Sequence, residues 1–206
     1  GAWNSRAEIL TGDLLAGQEL VWLSSPIEAF LAQVQGSLRV VLPEGRVLRF
    51  GYSGRNGQPY RSVGSALIEQ GKIAAEDMSA QAIRDWCARH PQQVRDLLNL
   101  NPSYVFFRPL DLPPEEGPIG AAGVTLTPMV SLAVDPAEIA FGSPVWVESD
   151  GPERLRCLMI AQDTGSAIRG PQRGDVFFGW GAAAGERAGR MSEPARLVPM
   201  FPKRPT

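Results

Sequence analysis

Two aspartates, Asp163 and Asp175, stand inside the stretch AQDTGSAIRGPQRGDVFFGWG at 161–181. Asp163 follows an apolar run at 155–161, and Asp175 opens another at 176–180. Gly165, Gly170 and Gly174 lie between them, and residues without a Cβ let a ligand approach the backbone closely. Carboxylates at strand edges around such a loop can supply acid and base chemistry. Asp175 is followed by Phe177, Phe178 and Trp180, and partial desolvation there would raise its pKa and suit a general acid. Contact with Arg169 or Arg173 would pull the other way, and the sequence leaves that balance open. Asp163, before Thr164 and Gly165, reads equally as a turn residue and as a reacting group. Asp135, in SLAVDP, precedes proline and reads first as turn chemistry.

Composition narrows the alternatives. The chain has 206 residues, 44% of them hydrophobic and 20% charged, enough for one large domain or two small ones. The formal net charge of −2, with basic residues scattered, argues against nucleic-acid phosphate binding. One histidine, His90, makes a histidine triad or multi-histidine metal site hard to build and turns attention to carboxylates. Cys87 and Cys157 sit in apolar patterns and read as buried free thiols, which leaves the redox compartment undecided. No apolar stretch is long enough to span a bilayer, and no signal peptide is visible. Because the chain opens at Gly1-Ala2-Trp3, it is expected to be a processed or truncated piece.

Other residues offer weaker signals. Tyr52, Tyr60, Tyr104, Trp146 and Trp180 are possible sugar platforms, though for any single one core packing is the favoured reading. Gln35, Ser37, Asn56 and Asn101 can hydrogen-bond a polar ligand or serve turns and caps. The glycines at 54–57 lack phosphate-loop spacing. A single Asp-Thr-Gly triplet would need a dimer to make an aspartic protease.

The elements that must position these groups are legible in part. Ser5 and Glu8 have capping-box spacing. Ser25-Pro26 with Glu28 starts a helix whose apolar face is Ile27, Phe30, Leu31 and Val34, and Gly36 ends it. Residues 38–42 and 47–52 read as a hairpin, 62–70 as a helix, and Ser79 as the cap of a helix carrying Ile83, Trp86, Cys87 and His90. Pro91 opens a further helix with Val94, Leu97 and Leu98 inward. Residues 19–23 and 104–107 read as strands, the latter buried. The run PLDLPPEEGPIGAAG at 109–123 reads as a linker. Beyond it, apolar runs at 132–134, 145–148, 155–161, 176–178 and 196–198 suggest a sandwich or barrel.

An ordered series of segments resembles the membrane-bound lytic transglycosylase A family of peptidoglycan-cleaving enzymes, with its C-terminal three-aspartate domain. The segments are SRAEI at 5–9, VQGS at 34–37, GRNGQPYRSVG at 54–64, MSAQAIRDW at 78–86, NPSYVFF at 101–107, LTPMVSLAVDPAEIAFGSPVWV at 126–147 and QDTGSAIRGPQRGDVFFGWG at 162–181. The resemblance implies a mainly β fold with α: a double-psi β-barrel with an inserted mixed α/β domain and a glycan groove between them. The insert would be 21–109 and the barrel 110–206, joined by 1–20. The resemblance further implies cleavage of the β-1,4 bond between N-acetylmuramic acid and N-acetylglucosamine, giving a 1,6-anhydromuramoyl product. Asp175 would act as acid and then base, with Asp163 supporting it and Asp135 structural. Gln35, Gly36, Ser37, Tyr60, Arg61, Ser62, Gly165 and Gly170 would contact the glycan. No metal or organic cofactor is implied. The partners implied are peptidoglycan strands and cell-wall synthesis or hydrolysis proteins, not nucleic acid. Attachment to the outer membrane, on its periplasmic side, would be through a lipid anchor. The family's N-terminal Gly-Tyr-Tyr-Glu-Pro-like segment and lipoprotein signal have no counterpart here, so the chain is expected to be a fragment. A hydrolase using Asp163 and Asp175 as a pair, and a non-catalytic glycan-binding protein, are the alternatives.

Overall fold

Local capping signals decide where most helices of the first half begin. The computed structural model describes residues 1–113, 116–151, 154–191 and 193–202. Parts of the expected linker, at 114–115, and of the expected barrel, at 152–153, 192 and 203–206, lie outside the described residues. The chain divides into two compact units, Gly1–Leu112 and Pro113–Thr206.

In the first unit the helices are α1 (Arg6–Thr11), α2 (Pro26–Gln35), α3 (Val63–Glu69), α4 (Ala80–Arg89) and α5 (Val94–Asn99). Short 3₁₀ turns occur at Ala75–Asp77 and Pro91–Gln93. Four serines cap the first four helices: Ser5, Ser25, Ser62 and Ser79 accept from the backbone N–H of Glu8, Glu28, Ser65 and Ala82. At α1 the Glu8 side chain returns the bond to the Ser5 N–H, completing a capping box. α2 stops at Gly36, whose φ of 76° is left-handed and costs glycine little. Strands β1 (Ser37–Val41), β2 (Val47–Arg55) and β3 (Val105–Pro109) form an antiparallel sheet in that order, with a register irregularity between Tyr52 and Gly54. The core joins Ile27 and Phe30 of α2, Val63 and Leu67 of α3, Ile83, Trp86 and Cys87 of α4, and Leu97 and Leu98 of α5.

Three expectations need correction here. Residues 19–23 form no strand, and Leu20 and Trp22 are exposed, because an apolar run without a partner strand has nothing to hold it extended. The strand at 104–107 is half-buried and starts at Val105, since β3 lies at a sheet edge. On α2, Val34 is exposed and Gln33 is buried in its place.

The second unit holds β4 (Ser131–Val134), β5 (Pro144–Ser149), β6 (Leu155–Asp163), β7 (Gly174–Val176), β8 (Ala195–Pro199) and α6 (Ala182–Arg190). The sheet order is β7-β4-β6-β5-β8. β4 and β6 run parallel and the other pairs antiparallel. Leu132, Val134, Val145, Val147, Leu155, Met159, Ala161 and Leu197 form its core, alternating along each strand as a one-sided sheet requires. Four of the five apolar runs expected here lie within strands, the run at 176–178 overlaps β7 only at Val176, and α6 was not expected. The chain is therefore mixed α/β rather than mainly β, with its curled sheet in one unit and five of its six helices in the other.

Candidate active site

Ala133 is the reference point for the carboxylates. On one side it pairs with Asp163 of β6, and on the other with Asp175 of β7. Paired residues share a sheet face, so both aspartates lie on the face opposite Leu132 and Val134. Their Cα atoms are two strand spacings apart, roughly 10 Å. On the core side Gly174 precedes Asp175, and a Cβ there would lie 3.0 Å from Leu197 Cδ1 and 3.3 Å from Leu132 Cδ1. The Gly-Asp order thus keeps the inward position empty and turns the carboxylate outward.

Asp163 reaches this face through a register shift. Ile160 and Ala161 pair with Ser131 and Leu132, but the next rung matches Ala133 with Asp163 and leaves Gln162 as an extra residue. Strict alternation would have put Asp163 on the same side as buried Met159 and Ala161. The bulge moves it to the other side. Gln162 is fixed by the Ser131 hydroxyl, which donates to its Oε1 at 2.6 Å and accepts from the Thr127 N–H at 2.8 Å. Its backbone carbonyl accepts from the Ala122 N–H.

The three aspartates have different surroundings. Asp163 is half-buried and its Oδ1 accepts from the Ala121 N–H at 2.9 Å. Burial pushes its pKa above the ordinary carboxyl value, against the pull of the Ala121 and Thr164 N–H groups. Asp175 is about half exposed, and its Oδ1 lies 2.9 Å from Arg173 Nη2. The desolvation expected at Asp175 therefore falls on Asp163, and of the two arginines weighed it is Arg173 that reaches Asp175. Asp135 is buried just after β4. Its Oδ2 accepts from the Gly170 N–H at 2.9 Å and its Oδ1 from the Ala137 N–H at 3.1 Å, with Arg169 3.6 Å away. Those bonds, Gly170 first, hold its pKa below the ordinary value. It anchors the glycine loop, and Gly170 adopts a φ of 94° to meet it. Gly165 is half-buried and its carbonyl accepts from the Ile168 N–H, turning the same loop. Thr164 Oγ1 is buried with no hydrogen-bond partner among the described residues.

The remaining expected glycan contacts lie in the first unit. Gln35 is exposed at the end of α2, and Gly36 and Ser37 are half-buried between α2 and β1. Tyr60 is 40% exposed and hydrogen-bonds Ser62, with burial raising its phenol pKa. Ser62 also caps α3. Arg61 donates its backbone N–H to Asn101 Oδ1, while its guanidinium lies 3.7 Å from Glu69 across an exposed pair. Among the described residues no hydrogen bond joins 35–37 to 60–62. Asn56 and Asn101, read as possible ligand contacts, are internal braces. Asn56 bonds the carbonyls of Asn4 and Pro102 and the Tyr104 N–H, and Asn101 accepts from Arg61 and Ser103.

Two partners of the site escaped the sequence reading. Ala121 lies in the GAAG stretch read as linker, and the Ser131–Gln162 pair is separated by 31 positions. Tight glycines were the available signal: a Cβ on Gly120 would meet the Gln162 carbonyl at 2.5 Å, and one on Gly117 would collide with Leu126 O. Among the described residues, no three His, Cys, Asp or Glu side chains are grouped to hold a metal ion, and no helix is long and apolar enough to cross a membrane.

Comparison with known proteins adds to this geometry. Residues 1–108 match the family model of the MltA specific insert domain, and residues 130–200 match that of the 3D domain. The chain is 40% identical to membrane-bound lytic murein transglycosylase A of Escherichia coli K12 over 92% of its own length and 53% of that protein's. A crystal structure of E. coli MltA with bound chitohexaose is similar at a TM-score of 0.85 and 37% identity, covering 96% of this chain and 61% of that one. A membrane-bound lytic murein transglycosylase from Agrobacterium tumefaciens gives a TM-score of 0.88 at 35% identity, covering 98% and 57%. The chain spans about half the length of the curated relatives it matches.

Proposed function

We propose, for a chain that belongs to the membrane-bound lytic murein transglycosylase A family, that it is the catalytic part of a peptidoglycan lytic transglycosylase. Asp175 protonates the glycosidic oxygen as the bond from the muramoyl C1 breaks. The resulting carboxylate then takes the proton from the muramoyl 6-hydroxyl as that oxygen bonds C1. One proton is given and one returned, no water is consumed, and the product is a 1,6-anhydro sugar. Attack from within the same ring benefits from high effective molarity. Asp163 supports the position or protonation of Asp175, and Asp135 holds the loop. Gln35, Gly36, Ser37, Tyr60, Arg61, Ser62, Gly165 and Gly170 are the proposed glycan contacts.

The observation that carries this reading is the register at Ala133, which sets the two outer carboxylates of the three-aspartate motif on one sheet face. The chitohexaose bound by the E. coli relative supports a saccharide ligand. In the same reading the sheet belongs to a double-psi β-barrel completed by further chain. The insert is 21–109, with 1–20 and 110–206 assigned to the barrel. In this reading the whole protein faces the periplasm from the outer membrane and works with cell-wall synthesis or hydrolysis proteins; the relatives' name supports attachment to a membrane. The test is mass spectrometry of products from purified peptidoglycan. Anhydromuropeptides are expected, and they should vanish with Asp175→Asn.

One observation favours a second reading. Burial raises the proton affinity of Asp163 while Asp175 is exposed, a division that suits a hydrolytic acid and base pair. Reducing sugar ends in place of anhydro ends would decide for it.

A further inference from the structure

The first unit carries a charged hollow that none of the glycan chemistry uses. A cavity of about 230 Å³ is lined by Lys72, Trp86, Arg89, His90 and Gln93. Its floor is the buried indole of Trp86, against which the His90 ring stacks at 4.5 Å and 19°. Lys72 Nζ stands 4.8 Å over the same indole and donates to Gln93 Oε1 at 3.1 Å. His90 Nδ1 is 2.8 Å from the Trp86 carbonyl. A carbonyl can only accept, so Nδ1 carries the proton and faces inward, leaving Nε2 as the other polar atom of the ring. The first hollow therefore offers an ammonium, a guanidinium and an imidazole edge.

A second hollow of about 160 Å³ shares Lys72, Trp86 and Gln93 as walls. Beyond that shared wall its lining adds the apolar Leu97 and Leu100, the Gln70 side chain and the carboxylate of Asp96. Arg89 and His90 line only the first hollow and Asp96 only the second, with Lys72, Trp86 and Gln93 common to both, so the pair presents both signs of charge. An anion alone would satisfy only one of them, and a simple apolar ligand would leave both unpaired.

We infer that these joined hollows bind a small zwitterion, an amino acid or short peptide, with its carboxylate toward Lys72 and Arg89 and its ammonium toward Asp96. Arginine and lysine grip a carboxylate by charge-assisted bonds, and half-buried Leu100 of the second hollow meets the aliphatic part. The inference is independent of the glycan reading, because it concerns binding by side chains of the first unit and not turnover.

The test is a titration of the ¹⁵N-labelled chain with alanyl-alanine, its N-acetyl form, its C-terminal amide and inorganic phosphate, followed at the Trp86 indole and the His90 ring. The free dipeptide should perturb both, and each blocked form should bind about tenfold more weakly, the loss of one charge-assisted contact. Asp96→Asn should erase the difference between free and N-acetylated dipeptide. Lys72→Met should shrink the difference between free dipeptide and amide. Both replaced residues are exposed, so the fold should survive, and an otherwise unchanged amide spectrum verifies it. Equal binding of the blocked forms, phosphate binding as tightly as the dipeptide, or no perturbation by any probe would each overturn the inference.

Discussion

The two units use polar side chains in opposite ways. In the first, polar groups in the interior are turned on the backbone. Arg6 is 4% exposed, donates to the carbonyls of Asn101 and Ser103, and lies over the rings of Phe30 and Tyr104. Burial lowers its pKa to about 10, which still leaves it charged at neutral pH. Asn56, Asn101 and the capping serines are engaged in the same manner. In the second unit, carboxylates stand in or just after strands, and they are tied to the fold to different degrees. Asp135 accepts two N–H bonds, Asp163 accepts from Ala121, and Asp175 on the edge strand faces a single exposed arginine. A polar group already matched to the fold stabilises it, whereas one left half-matched can still react.

That contrast can be broken by substitution. The largest effect expected is on activity alone. Asp175→Asn should lower release of anhydro products about a thousandfold, within the usual range for a general acid, with little change in melting temperature. A comparable loss of melting temperature would mean that Asp175 is a structural residue like Asp135. Next comes Arg6→Met, which leaves two carbonyls without their charged donor. It should cost the first unit about 3 kcal/mol, read in urea unfolding, while the second unit is unaffected. Ser79→Ala removes the cap of α4 and should cost about 1 kcal/mol, read in the same transition.

The last effect is one of sign. Asp135 has a depressed folded pKa, so its contribution is present above the ordinary aspartate value and is lost as pH falls through the folded one. Asp135→Asn should therefore be less stable than wild type at neutral pH and converge with it in acid. Asp163 has a raised folded pKa, so stability is lost as pH rises from the ordinary value through the folded one. Asp163→Asn should be the more stable protein at neutral pH and again converge in acid. Thermal unfolding from roughly pH 3 to 7 checks both, and parallel curves would remove the distinction drawn between the two residues.

What the sequence made legible follows the range of the interactions. Helix starts at Ser5, Ser25, Ser62 and Ser79 depend on residues three apart, and the strand runs of the second unit depend on local alternation. The candidate aspartates were visible because carboxylates beside glycines are rare in apolar runs. Their unequal environments were not, because Asp163 meets Ala121 across 42 positions and the bulge at Gln162 exists only once β6 pairs with β4. α6 was missed for a local reason. Its sequence AAAGERAGR carries two internal glycines, and its N-cap, Gly181, has no side chain to announce it. The strand expected at 19–23 failed for the converse reason, since pattern alone supplies no neighbour.

The extra residue at Gln162 has a consequence for how this sheet can change over descent or redesign. Side chains alternate along a strand, so a bulge acts as a parity switch, and everything beyond it is read in the other phase. Between Met159 and Asp163 the number of residues therefore carries information that their identities do not. Point substitutions there are graded changes in packing, but loss of one residue would exchange solvent for core at the carboxylate in a single step. Length should be the most strictly kept property of this segment, and a transplanted β6 keeps its chemistry only if that odd residue travels with it.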